Sequence, residues 1–168
     1  MDNIGEIFAR FKANNSVFIE TGTYKGGSID RALELGYEQI WSIEYHIDFY
    51  EAACIKYNEN SRVNLFHGSS ADVLPSILDM VGNQKCFFWL DAHDTFGTGG
   101  GIPIQEELNA IKAHQRNDHT IMIDDIPLYF GDGFELKKKL YEINPNFVIE
   151  TIDPDTRPDY IMVAHHAK

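Results

Sequence analysis

The sequence predicts an α/β fold, a mostly parallel sheet with helices on both faces, and three observations predict it. Segments rich in β-branched and aromatic residues alternate five times with segments whose apolar residues recur at three- and four-residue spacing, the order expected of strand–helix–strand crossovers. Three of the strand-like segments, VFIE, CFFWL and TIMI, are almost continuously apolar, as strands buried on both sides are. The last two strand-like segments are joined only by DPDTRPD, too short for a helical crossover, so they are expected to pair antiparallel.

Taken in order, Ile4, Phe8 and Phe11 fall at i, i+4 and i+7 and predict an opening helix that stops near Asn14 and Asn15. The strands are expected over Val17–Thr21, Gln39–Tyr45, Val63–His67, Cys86–Asp91, Thr120–Asp124, Phe147–Ile152 and Tyr160–Ala164. The helices between them are expected over Ser28–Leu35, Phe49–Asn58, Ala71–Val81, Ile104–His114 and Phe134–Ile143. The longest stretch without periodicity, His93–Pro103, carries Gly97, Gly99, Gly100 and Gly101, and a long glycine-rich loop in a compact domain is more often functional than idle.

Composition narrows the function. The chain has 168 residues, 26 acidic against 14 basic, a net charge of −12 and 43% hydrophobic content. One domain is expected at this length, large enough to bury a core without disulfides or a structural metal. Only two cysteines occur, Cys54 and Cys86, and neither lies in a zinc or disulfide pattern, which fits a reduced, cytoplasmic protein. The opening MDNIGEIFARFKANNS mixes charges with its apolar residues, and no run approaches the ~20 apolar residues that span a bilayer, so neither secretion nor membrane insertion is expected. The negative excess opposes binding to phosphate backbones, and the one basic cluster, Lys137–Lys139, does not offset it. Nucleic acid is therefore not expected as a partner.

The first strand ends in FIETGTYKGGS, which places glycines where open α/β sheets bind ligands. The spacing is neither the dinucleotide fingerprint nor a P-loop, since Gly22 is followed by Thr23, Tyr24 and Lys25 before Gly26, and no Gly-Lys-Ser/Thr follows. What remains is an acid ending a strand, Glu20, and then a turn that lets backbone approach a ligand. A carboxylate there repels a pyrophosphate and attracts an ammonium group; the alternative is a plain strand-to-helix turn capped by Ser28. Glu44, 24 residues later, ends the second strand, where an acid commonly accepts the two hydroxyls of a ribose or simply faces water. Gly68, Ser69 and Ser70 open the next helix, as the small residues of an adenine pocket or as ordinary caps.

Together these segments resemble the class I S-adenosylmethionine-dependent methyltransferases over nearly the whole chain. The resemblance implies a Rossmann-like seven-stranded sheet of order 3-2-1-4-5-7-6 with strand 7 antiparallel. It implies an N-terminal helix over 1–14, a cofactor-binding half over 16–114 and a substrate-side half over 119–168. It places Glu20, Gly22, Gly26 and the turn residues Thr23 and Tyr24 against the methionine part of S-adenosylmethionine, Glu44 on the ribose, and Gly68, Ser69 and Ser70 beside the adenine. Ser69 stands where the family frequently has an acid. No segment is left for a substrate domain, so the loops and a second subunit, in a homodimer, are expected to supply substrate recognition.

Asp91, His93 and Asp94 follow the fourth strand and Asp124 and Asp125 the fifth, and adjacent parallel strands bring these ends to one edge. Carboxylates converging there repel one another unless a proton or a cation intervenes, and a hard divalent ion such as magnesium answers that need. Here the chain resembles the metal-dependent O-methyltransferases of the catechol and macrocin types, whose ligand positions are matched by Asp91, Asp124 and Asp125. Asp125 stands where the catechol type has asparagine, and Asp94 near its lysine base, so Asp91, His93 and Asp94 are the expected catalytic groups. His93 also brings manganese, iron or zinc into competition with magnesium. The plainer alternative has Asp91 bonded to the cofactor ammonium, Asp124 capping a loop and Asp125 facing water.

The expected reaction is methyl transfer from S-adenosylmethionine to a hydroxyl of a small sugar or phenolic molecule, with Thr95–Gly101 closing over the site. Three alternatives stand beside it: a metal-independent methyltransferase with Asp91 or His93 as base, a cofactor-binding module without transfer activity, and aminopropyl transfer on the same scaffold. Tyr24, Trp41, Tyr45, Phe96, Tyr129 and Phe130 either line the pocket or belong to the core. His165 and His166 are expected to face solvent, and His119 to precede its strand without chemistry.

Overall fold

The computed structural model describes residues 4–93, 101–154 and 160–166. Seven strands form one sheet: β1 (Val17–Thr21), β2 (Gln39–Glu44), β3 (Val63–His67), β4 (Cys86–Leu90), β5 (Thr120–Ile123), β6 (Val148–Ile152) and β7 (Ile161–His165). Their order is β3-β2-β1-β4-β5-β7-β6, with β1 to β5 parallel and β7 antiparallel to both of its neighbours. This is the topology that the family resemblance implies. The helices are α1 (Ile4–Phe11), α2 (Gly27–Glu34), α3 (Ile47–Tyr57), α4 (Ser70–Val81), α5 (Ile104–Ala113), α6 (Ile126–Tyr129) and α7 (Phe134–Ile143).

The apolar runs of β1, β4 and β5 are explained by burial of every one of their residues. Alternate side chains leave the sheet on opposite faces and enter two separate cores. Val17, Ile19, Phe88, Leu90 and Ile123 meet α4, α5 and α7 on one face, while Phe18, Phe87, Trp89 and Met122 meet α1, α2 and α3 on the other. Phe8 of α1 is the keystone of the second core, with its ring centroid 5.5 Å from Phe18, 5.4 Å from Phe87 and 5.1 Å from Trp89.

The departures from the expected boundaries are small and concern the functional edge. β4 and β5 stop at Leu90 and Ile123, one residue short of the aspartates, which leaves Asp91 and Asp124 outside the strands. β2 ends at Glu44 and α3 begins at Ile47, two residues early. The four-residue α6, too short to produce a period, follows Asp125, whose backbone lies in the left-handed region at φ 57°. Among the described residues no helix is long and apolar enough to cross a membrane.

Three histidines far from that edge serve the fold. His119 is fully buried, accepts the Cys86 N–H at Nδ1 over 3.1 Å and faces His114 across 3.1 Å. Burial pushes its pKa down to about 4, so it remains neutral at ordinary pH. His165 and His166 do not face solvent as expected: both are half-buried, His165 bonded to Glu150 at 2.7 Å and edge-on to Phe11, His166 edge-on to Phe147. A strand end beside the N-terminal helix shelters what a terminal position suggested was exposed.

Because Phe8 alone joins α1 to three buried aromatic rings, Phe8→Ala is expected to lower unfolding stability by about 3–5 kcal/mol, measured by urea denaturation. A loss below about 1 kcal/mol would show that α1 is peripheral to the core.

Candidate active site

The site begins where β1 meets β4. Gly22 has φ 88°, and a Cβ there would lie 2.5 Å from the carbonyl oxygen of Asp91, so only glycine permits this approach. Its N–H donates to the Ile43 carbonyl at 2.9 Å, while the Asp91 N–H donates to the Thr21 carbonyl at 3.1 Å. The ends of β2, β1 and β4 are thereby tied side by side. Around them opens a cavity of about 470 Å³, within the ~300–1,000 Å³ usual for small-molecule sites. Gly22 and Tyr24 line it after β1, Glu44, Tyr45, His46 and Phe49 after β2, Ser69 and Ser70 after β3, Asp91, Ala92 and His93 after β4, and Gly101 and Pro103 before α5.

Glu44 is held for recognition. Its Oε2 accepts the Tyr24 N–H at 2.8 Å and its Oε1 the His46 N–H at 2.7 Å, which fixes the carboxylate and leaves each oxygen a further lone pair at the cavity wall. Tyr24 adopts φ 47° to deliver its N–H, and its ring stands edge-on to Phe49 at 4.8 Å. His46 and Phe49 were not among the expected site residues, because the helix register placed them outside the turn; a strand-end acid followed by aromatics at the next helix start is the signal that finds them.

Four of the expected cofactor contacts stand behind this wall rather than on it. Glu20, the expected ammonium contact, is fully buried, its Oε1 accepting the Ser42 hydroxyl at 2.6 Å and its Oε2 the Ser28 hydroxyl. Ser28 thus serves Glu20 and does not cap α2. Thr23 bonds Ser42 and continues the same network. Gly26 gives room to Tyr57, whose hydroxyl lies 2.7 Å from the Gly26 carbonyl, and Gly68 binds the Glu44 carbonyl through its N–H at 2.9 Å. Ser69 and Ser70 do line the cavity. Ser69 is the N-cap of α4 without a side-chain capping bond, and the Ser70 hydroxyl donates over 2.6 Å to Glu107, a buried acid of α5 that helical periodicity gave no reason to single out.

At the other end of the cavity Asp91, His93 and Asp125 converge, with one ligand-capable atom from each lying within 4.8 Å of the others. Of the expected ligands Asp91, Asp124 and Asp125, the first and last stand in that group; among the described residues His93 stands in it as well and Asp124 does not. The cause is the left-handed backbone at Asp125, which turns the chain between the two aspartates. Asp124 contributes its main-chain carbonyl, which bonds His93 Nε2 at 3.1 Å. A carbonyl only accepts, so Nε2 carries the proton and Nδ1 the lone pair. Burial lowers the pKa of His93 and keeps the ring neutral. Asp91 is raised well above the usual carboxylate range, by burial first and then by the charges of Asp124, Asp125 and Glu20.

Asp94 and Phe96, like the expected lid from Thr95 to Gly100, lie outside the described residues. Of the aromatic candidates, Tyr24 and Tyr45 line the cavity, Tyr129 and Phe130 pack on the His93 ring at 4.7 and 5.4 Å, and Trp41 stacks on Phe66 away from it.

No family model matches the sequence, and no curated protein matches it. Solved structures do. The chain is similar to the O-methyltransferase TomG from Streptomyces achromogenes, involved in tomaymycin synthesis and solved in complex with SAM, at 17% identity, covering 98% of this chain and 79% of that one with a TM-score of 0.72. An O-methyltransferase from Bacillus cereus in complex with SAH gives 16% identity, 96% and 80% coverage, and 0.64. Spermidine synthase from Thermotoga maritima gives 16% identity and 0.64, with 98% of this chain covering 56% of that one. These likenesses show that the fold is the one shared by S-adenosylmethionine-dependent O-methyltransferases and spermidine synthases.

The two buried acids make stability depend on pH. Burial raises Glu20 and Glu107 from 4.5 to about 7 in the folded chain. Below pH 4.5 both are protonated whether the chain is folded or not. As the pH rises towards 7 the unfolded chain releases its protons first, and stability falls by up to roughly 3 kcal/mol for each group. His119 acts with the opposite sign, since a histidine held at about 4 withdraws stability as the pH falls below its ordinary 6.5. The double variant Glu20→Gln/Glu107→Gln is therefore expected to lose most of the decline between pH 5 and 7.5, read from urea unfolding at several pH values; parallel curves for the variant and the natural chain would contradict this.

Proposed function

We propose that this chain is an S-adenosylmethionine-dependent methyltransferase that methylates a hydroxyl of a small molecule with help from a divalent cation. The observation that carries the reading is Glu44: a carboxylate with each oxygen fixed by a backbone N–H, at the carboxyl end of β2, beside a glycine turn with no room for a side chain. That is a preformed acceptor pair for a ribose diol, and the likeness to O-methyltransferases solved with SAM and SAH supports the same assignment.

The residues present fit both groups. Glu44 would hold the ribose, Phe49 and Ser70 the adenine side, and Gly22 and Asp91 the amino-acid end. The acids around the cavity suit a ligand that carries positive charge. When bound, the cofactor supplies an electrophilic methyl group for in-line displacement. Asp91, His93 and Asp125 fit a divalent cation, two carboxylates and a neutral imidazole balancing its charge; when bound, it supplies Lewis acidity that lowers the pKa of a hydroxyl. The chain's own part is alignment. The tie between Asp91 and Thr21 fixes one side of the reaction centre, Tyr129 and Phe130 fix the plane of the His93 ring, and Tyr24 and Tyr45 stand half-exposed where an apolar part of the acceptor would rest. The net charge of −12 supports a small acceptor over a nucleic acid.

A metal-independent reaction is the second reading, and the raised pKa of Asp91 favours it, because a carboxyl that holds its proton readily is a usable base. His93 has one lone pair to give, so it acts as ligand or as base and not as both. Aminopropyl transfer, the reaction that the names of the spermidine synthases imply for those proteins, is separated by the product formed.

Calorimetric titration is expected to show micromolar binding of S-adenosylmethionine and S-adenosylhomocysteine, weakened about 10- to 100-fold in Glu44→Ala as the hydrogen bonds to the ribose are lost. Absence of binding to either would remove the reading. A chelator is expected to abolish turnover of a hydroxyl acceptor while leaving cofactor binding in place, and turnover that withstands the chelator selects the metal-independent reading.

A further inference from the structure

The cluster at the ends of β4 and β5 differs in kind from an oxygen-only magnesium site. Two of its members are carboxylates, but the third is an imidazole held as metal-binding histidines are held. Its Nε2–H is committed to a main-chain carbonyl, that of Asp124 at 3.1 Å. Such an outer bond fixes the tautomer, presents the other nitrogen as a donor and raises its basicity. The ring plane is fixed as well, by Tyr129 at 4.7 Å and by Phe130, edge-on, at 5.4 Å. The two carboxylates come from independently anchored backbone: Asp91 through its N–H on Thr21, and Asp125 through the left-handed turn that opens α6. The ligand atoms of all three lie within 4.8 Å of one another, close enough to share one ion.

Donor chemistry then decides which ion. Magnesium prefers six oxygens and tolerates imidazole poorly, whereas iron, cobalt, nickel and zinc gain from a nitrogen donor. We propose that Asp91, His93 through Nδ1, and Asp125 form a mixed nitrogen–oxygen site selective for a borderline first-row divalent cation over magnesium. The selectivity comes from His93, and Asp124 acts only through its backbone carbonyl. For the use of the metal in catalysis this inference rests on the methyltransferase reading; for its binding it does not.

The test uses the full chain, stripped with a chelator and titrated calorimetrically with cobalt(II) alone and with magnesium alone, cobalt also being followed by its visible absorption. The readout is the ratio of the two affinities, which a general loss of charge or stability does not move. Cobalt is expected to bind at least about 10-fold more tightly than magnesium, and His93→Ala to bring the ratio to within about threefold of unity. His93→Asp, which restores an oxygen donor, is expected to favour magnesium relative to the natural chain, and Asp124→Asn to leave the ratio unchanged because its carbonyl remains. A ratio near unity in the natural chain, an undiminished ratio in both His93 variants, a ratio that collapses in Asp124→Asn, or no binding of either ion would overturn the proposal. S-adenosylmethionine titrated into the same samples separates the two readings. A ratio near unity with cofactor binding intact sinks the metal site alone, and a His93-dependent ratio without cofactor binding upholds the metal site while counting against the methyltransferase.

Discussion

The contact between Gly22 and the carbonyl of Asp91 is where the architecture of this chain is most constrained. β1 must leave the sheet pressed against the last residues of β4, with no space for even one carbon between the two backbones. The hydrogen bonds on either side, Gly22 to Ile43 and Asp91 to Thr21, align the ends of three central strands at one level. Everything that follows a strand at that edge is consequently gathered around one cavity: the Tyr24 turn, Glu44, the two serines and Asp91. A side chain at position 22 would push β1 from β4 and separate the Glu44 half of the site from the Asp91 half.

Gathering these residues also concentrates negative charge, and each acid meets the repulsion differently. Glu20 and Glu107 are buried, accept serine hydroxyls and have pKa values of about 7, which lets a proton carry part of the cost. Glu44 accepts two backbone N–H groups. Asp91 has the charges of Asp124, Asp125 and Glu20 around it and no cation among the described residues near enough for an ion pair. A site so arranged is stabilised by whatever brings positive charge to it. The proposed sulfonium and ammonium cofactor would answer that need at one end of the cavity, and the proposed divalent ion at the other.

How much of this was legible in the sequence follows from range. Strand positions were legible because burial on both faces leaves a local mark, as in CFFWL, where all five residues are buried. The sheet order came from resemblance, since periodicity carries no information about which strands are neighbours. Glu44 was legible because a strand-end acid needs only the strand to be placed. The bonds of Glu20 were not legible because its partners Ser28 and Ser42 lie 8 and 22 residues away and meet it only in the folded chain. Glu107 was missed because a buried acid on a helix has the same spacing as an exposed one. Which of the two aspartates after β5 groups with Asp91 and His93 was not legible, for a subtler reason. Adjacent aspartates look equivalent in sequence, and which of them reaches Asp91 is set by the sign of φ at Asp125, a quantity that two neighbours of the same residue type do not distinguish.

That turn does two things at once. By lying left-handed it sets the carboxylate of Asp125 beside Asp91, and by the same rotation it leaves the carbonyl of Asp124 pointing at His93. The imidazole tautomer and the second carboxylate are thus products of one backbone conformation, which Ile126 secures by donating its N–H to the carbonyl of Tyr160, the residue before β7. The antiparallel β7 is therefore more than a completion of the sheet. The residue that leads into it holds the turn beside Asp125 and His93, whereas Gly22, Glu44 and the two serines follow β1, β2 and β3. Asp91 belongs to both halves: it lines the cavity, stands in the converging cluster and is tied by its backbone to β1. On the proposed reading, a change at the β5–α6 turn would alter how a substrate oxygen is handled without disturbing the grip on a ribose, and the reverse would hold for Glu44. On that reading the chemistry and the cofactor binding would be separable in structure, with Asp91 common to both.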